Sequence, residues 1–203
     1  MQRDNFDLTH LIIKRAQKYL LNTHTNAGPS AKTPQIEPMS FDLRTFRDTL
    51  GLFVTGVTVI TARDADGTPV GLTANSFNSV SLDPPLVLWS IGLNALSLEA
   101  FVNAPGFAVH ILRDDQADLS QRFAQTGVDK FAGLEMDSGL NDVPLLPDCA
   151  ARLECVPFAQ HPAGDHILFI AKVQRLASDP ASMPLVYHGG RYAELADKPV
   201  PSV

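Results

Sequence analysis

Small side chains with polar edges cluster at Gly71, Thr73, Ala74, Asn75 and Ser76. They end one apolar strand and precede a Pro84-Pro85 break and a second apolar strand. Short side chains let a flat ring lie close against the backbone. Hydroxyls, a carboxamide and free N–H groups can then bond the ring's polar edge. A second cluster is HPAGDH, residues 161–166, in which His161 and His166 stand five apart in a turn. Without a third ligand that is poor metal geometry, and no metal is expected. By itself the segment reads as a turn shaped by Gly164 and Asp165. YHGGRY, residues 187–192, reads as a tight hairpin.

Other chemistry-bearing residues have plainer readings. Arg122, alone on a helix, reads as part of a solvated face. His110 and Trp89 lie in apolar strands and read as core. Cys149 and Cys155 match no common zinc or redox spacing, and a reduced pair fits a cytoplasmic protein. The chain has no G-x-G-x-x-G, G-x-x-x-x-G-K-[ST], G-x-S-x-G or H-E-x-x-H motif.

The elements that must position these residues come from a chain of 203 residues, long enough for one domain with a full core. Hydrophobic residues make up 45% and charged residues 19%, a globular balance. A net charge of −6 argues against nucleic acid or an anionic membrane as the main partner. No apolar run approaches the roughly 20 residues of a membrane span.

Residues 1–39 read as an extension. Leu8, Leu11, Ile12, Arg15 and Tyr19 share one side of a short amphipathic helix, and a Thr/Asn/Pro-rich linker follows. The main domain is expected over residues 40–197, with a tail at 198–203. Ser40 or Asp42 can cap a helix whose apolar stripe is Leu43, Phe46, Leu50 and Phe53. Residues 57–63 and 68–74 form a hairpin across DADG. Strands are expected at 86–91, 106–112, 151–158, 166–177 and 184–188. Helices are expected at 114–124 and, capped by Asn94, just after residue 94. Short strands, hairpin links and no long crossover helices predict a mainly β fold with a closed antiparallel sheet.

From about Phe41 to Leu195 the chain resembles the flavin reductase family, the small NAD(P)H:flavin oxidoreductases that supply reduced flavin to two-component monooxygenases. The matching stretches are FRDTLGLFVTGVTVIT, DGTPVGLTANSFNSVSLDPPLVLWSI, GFAVHIL, LSQRFA, DKFAG, AGDH and PLVYHGGRY, in family order and spacing. The resemblance implies an FMN-binding split β-barrel, antiparallel and Greek-key-like, with short flanking helices. It implies a homodimer with the flavin near the interface. FMN or FAD would accept a hydride at N5 directly from NADH or NADPH, and a monooxygenase would consume the product.

The resemblance also implies roles for residues. Pro69, Val70, Gly71, Leu72, Thr73 and Ala74 would lie along the isoalloxazine ring. Asn75 and Ser76 would bond its pyrimidine edge or ribityl chain. Ser90, Asn94 and Ser97 stand at the family's phosphate loop. There Leu93 and Leu96 occupy positions where the family often has a basic residue, and Arg122 and Lys130 are candidates for the missing charge. Phe123 and Phe131 would lie by the cofactor. Gly164, Asp165 and His166 would face the nicotinamide side, with His166 positioning the dinucleotide rather than moving a proton. Tyr187 and Arg191 would sit near the groove. Two other readings stay open: a module that binds flavin or another planar ligand without reducing it, and a flavoenzyme with its own tightly held flavin.

Overall fold

The computed structural model describes residues 40–195. The expected extension at 1–39 and tail at 198–203 lie outside the described residues. Of the two candidate caps, Asp42 is the one used: its Oδ1 accepts the Thr45 N–H at 2.7 Å and opens α1 (Leu43–Leu50). The helix carries the expected apolar stripe, yet none of its residues is buried. Leu43, Leu50 and the following Phe53 are 60%, 57% and 72% exposed.

Among the described residues twelve strands follow, every pair antiparallel. β1 (Thr55–Gly56) pairs with β11 (Val186–His188), which turns through Gly189-Gly190 into β12 (Arg191–Ala193). Both glycines have positive φ, 58° and 79°, as a two-residue hairpin of this kind requires. β2 (Thr58–Arg63) and β3 (Pro69–Ala74) form the expected hairpin, with Asp64 Oδ1 accepting from the N–H groups of Asp66 and Thr68 in the turn. β4 (Asn78–Leu82) and β5 (Pro85–Gly92) follow, then β6 (Phe107–Ile111), the short pair β7 (Asp137–Ser138) and β8 (Pro144–Leu145), and the long hairpin β9 (Ala151–Ala163) and β10 (His166–Ser178). The main sheet runs β3-β2-β6-β9-β10-β5-β4. β4 is not among the expected strands: Ser79, Val80, Ser81 and Leu82 alternate, but the alternation is short and its apolar members are exposed, Leu82 at 95%.

Two further helices cover the sheet. α2 (Leu98–Asn103) starts at Ser97, which makes no side-chain cap bond, so the expected capping by Asn94 is corrected: Asn94 is exposed and lies three residues too early. α3 (Ala117–Ala124) starts three residues later than expected, because Gln116 turns back to accept the Arg113 N–H.

The main core stacks Trp89 on Phe169 at 4.6 Å, with Phe101 and Phe107 edge-on to the indole. Burial of each such ring contributes on the order of 2–3 kcal/mol. A second cluster gathers Val57, Val59, Leu112, Phe123, Phe131, Leu146 and Leu185. His110 is fully buried beside it. Its Nε2 accepts the Leu146 N–H at 3.0 Å, so the proton must sit on Nδ1, which donates to the Val59 carbonyl at 3.1 Å. Burial pushes its pKa down to about 4. Cys149 and Cys155 are free, and burial lifts their thiols to about 11 and 12, which makes them inert.

Candidate functional site

β3 ends the main sheet on one side, so one of its two backbone rows has no ladder partner. The Ala74 carbonyl turns inward, where it accepts the Thr58 hydroxyl at 2.7 Å. Residues alternate along a strand, so Gly71 and Thr73 belong to the outward row. Lys130 Nζ donates to the outward Gly71 carbonyl at 3.0 Å, which agrees.

Along this free edge lies a cleft of about 570 Å³. β3 supplies one wall from Pro69 through Val70, Gly71 and Leu72 to Thr73. The loop before α2 supplies Ala95, Leu96 and Ser97. The segment after α3, residues 125–131, supplies the outer wall, with Phe123 at its base. The volume lies in the range of small-ligand sites, and the lining is mostly apolar with a few polar groups. An apolar slot beside an unpaired backbone edge suits a flat heterocycle: its faces meet side chains, and its carbonyl and N–H edge meets the peptide groups of Gly71 and Thr73. The donor set thus fits a flavin.

The glycine in this wall has a different reason from the expected one. A Cβ at Gly71 would lie 2.6 Å from Phe123 Cε1, so the missing side chain makes room for the protein's own ring. Phe123 in turn stands edge-on to Phe131, 5.0 Å between centroids and 89° between planes. The Thr73 hydroxyl donates to the Ser120 carbonyl at 2.6 Å and pins α3 to β3. Ala74 is buried, with its side chain in the main core rather than along the cleft.

The two candidate cations of this region are both engaged. Lys130 also donates to the Phe123 carbonyl, at 2.8 Å, and its partial burial lowers its pKa. The Arg122 guanidinium donates to the Ala132 carbonyl. Ser97 reaches the cleft; Ser90 and Asn94 do not line it. Ser76 is held instead by β5, its Oγ accepting the Ser90 N–H at 3.0 Å and contacting the Ser90 carbonyl at 3.2 Å.

Asn75 and Tyr187 fall in a second cleft of about 550 Å³, with Arg47, Asp48 and Leu50 of α1, Phe53, Thr55 and the Gly189-Gly190 turn. Arg191, on β12 opposite His188, does not line it.

The third group caps the β9–β10 hairpin. Gly164 takes a positive φ of 61° in the two-residue turn between Ala163 and His166. The Asp165 carbonyl accepts the Leu93 N–H at 2.9 Å, which ties the turn to the loop leading to the first cleft. The Asp165 carboxylate lies 2.8 Å from His166 Nδ1, and this contact lowers its pKa. With Nδ1–H directed at Asp165, His166 turns Nε2 toward Gly92, where a Cβ would stand 3.8 Å from it. Site residues thus form three neighbouring groups rather than one.

Sequence reasoning missed Ala95, Gln125, Thr126 and Val128 in the first cleft, and Arg47, Asp48 and Thr55 in the second. Apart from Gly127, a turn signal inside a polar run, nothing in their types marks them. Among the described residues, no group of three or more His, Cys, Asp or Glu could hold a metal, and no helix is long and apolar enough to cross a membrane.

Comparison with known proteins gives this geometry a family. Residues 50–196 match the model of the flavin reductase like domain. The FMN reductase (NADH) SmoA of Agrobacterium fabrum is 44% identical over 153 residues, 75% of this chain and 86% of that protein. The reductase subunit HsaB of a flavin-dependent monooxygenase from Rhodococcus jostii is 36% identical, over 80% of this chain and 84% of that one. The solved NADH:FAD oxidoreductase of Streptomyces globisporus, in complex with NAD and FAD fragments, superposes with a TM-score of 0.73 at 36% identity, covering 77% of this chain and 94% of that one. With its antiparallel sheet, edge cleft and few short helices, this chain is a split-barrel member of the flavin reductase family.

Proposed function

We propose that this chain is an NADH-dependent flavin reductase that passes reduced FMN or FAD to a partner monooxygenase. The observation that carries the reading is the cleft along the unpaired edge of β3, in a chain of this family. The flavin would accept a hydride from the dihydronicotinamide, a two-electron step in which the protein transfers no atom of its own. The chain's residues do the positioning. Leu72 and Leu96 flank the ring, Gly71 and Thr73 offer it backbone polar groups, and Ser97 stands at the end near α2. Gly164, Asp165 and His166 orient the dinucleotide from the β9–β10 turn. Asn75 and Tyr187 reach the flavin from the second cleft.

The working unit is a homodimer in the cytoplasm. The apolar stripe of α1, left in solvent in the single chain, borders the second cleft, so a second copy would cover both together. The test is NADH and NADPH oxidation with added FMN, FAD and riboflavin. Flavin-stimulated turnover with NADH is the expected result, and its absence with every flavin and both nicotinamides would refute the reading. A preparation that keeps a yellow, non-exchanging flavin would point instead to an enzyme with its own bound cofactor.

A further inference from the structure

We propose that Lys130 is a positioning residue, a clasp that holds the segment after α3 against β3 and so makes the outer wall of the first cleft, and that it is not a ligand of the flavin phosphate. The inference rests on the reading of that cleft as the flavin seat. The ammonium donates to two carbonyls on two different elements: Gly71, in the unpaired row of β3, and Phe123, in the last turn of α3. Both are groups that secondary structure leaves without a partner, one at a sheet edge and one at a helix C-terminus, where a cation is also favoured by the dipole. A lysine has three N–H donors, and two are taken here.

The rest of the segment is built to need this bond. Its far end is fixed. Asp129 Oδ1 accepts the N–H groups of Phe131 and Ala132, Arg122 holds the Ala132 carbonyl, and Phe131 packs on Phe123. Its middle, residues 124–129, is exposed, with Gly127 at a φ of 76°. Among the described residues, Lys130 is the side chain that bonds this segment to β3. Apart from Lys130, no described residue lining the cleft is a cation. Because the clasp ties the outer wall to Gly71 and Phe123, its loss should be felt by the ring, whatever tail the ring carries.

The experiment compares the full chain with Lys130→Met. FMN and riboflavin are titrated separately, and amide hydrogen exchange is read over residues 125–131 without flavin. Riboflavin has the same ring and no phosphate. The expected result is weakening of both flavins by one common factor, about tenfold, an unchanged FMN-to-riboflavin ratio and faster exchange in the segment. Weakening confined to FMN would overturn the proposal, and so would unchanged exchange. If Lys130→Met does not fold, Lys130→Arg serves: a planar guanidinium does not reproduce a point donor between two carbonyls but still binds phosphate. There, equal weakening of both flavins supports the clasp and full retention of FMN binding overturns it. Should the wild-type chain bind neither flavin, the reading of the cleft fails, and the exchange data alone decide the clasp.

Discussion

The Phe123 ring lies directly over the bare Cα of Gly71, with no room between them for a methyl group: a Cβ would stand 2.6 Å and 2.8 Å from two ring carbons. One contact therefore sets both the seat of α3 and the depth of the cleft wall. Gly71→Ala should displace Phe123, which is fully buried and cannot swing into solvent. Overpacking of this kind costs about 1–3 kcal/mol. Denaturant unfolding should show the loss, and flavin affinity should fall with it. A variant of wild-type stability and affinity would mean that the ring has slack the geometry denies.

Acid should weaken the fold through His110. Its folded-state pKa is depressed to about 4 from the ordinary 6.5. The unfolded chain thus binds a proton first as pH falls. Stability from the neutral imidazole is complete above about pH 6.5 and is lost as pH drops toward about 4. The full loss is about 3 kcal/mol. Urea unfolding at several pH values should show this slope. His110→Gln, which keeps one donor and one acceptor, should flatten it, and an unchanged slope would assign the titration to other groups.

His166 and Asn75 should separate the two substrates. His166→Ala removes the imidazole of the β9–β10 turn and should raise the KM for NADH about tenfold while leaving flavin affinity near wild type. Asn75→Ala, in the second cleft, should weaken flavin severalfold and spare the KM for NADH. Equal losses of both substrates in either variant would remove that residue from its assigned role.

The exposed stripe of α1 should control assembly. Phe46 and Leu50 are 45% and 57% exposed in the single chain. Phe46→Asp with Leu50→Asp should turn the proposed dimer into a monomer in sedimentation experiments and lower turnover, because the second cleft would lose its cover. Neither side chain supports the chain's own core, so far-UV circular dichroism should stay the same. A double variant that sediments as wild type would rule out this face as the interface.

How much of this was legible in the residue order depends on the range of the force involved. Hairpins were readable because their signals are local: the DADG and Gly189-Gly190 turns set the φ angles that their strands need. Trp89 and His110 were readable as core from their apolar neighbours. The motif run from Phe41 to Leu195 carried the family, and with it the fold. β4 escaped because its alternation spans only Ser79 to Leu82, and this edge strand buries neither of its apolar side chains, Val80 and Leu82. Asn94 misled because capping chemistry is common, while a helix start is set by where the chain can begin to pack, here at Leu98.

The chemistry of the cleft belongs to the second kind of information. Small residues after Pro69 announced a close approach, and only the packed structure showed that Phe123 makes it. Lys130 and Gly71 are far apart in sequence, and only the fold brings the ammonium to that carbonyl. Residue types determined which groups could bond a ring. Which of them stay free to do so was decided by long-range contacts, since each donor binds whatever acceptor the fold places nearest.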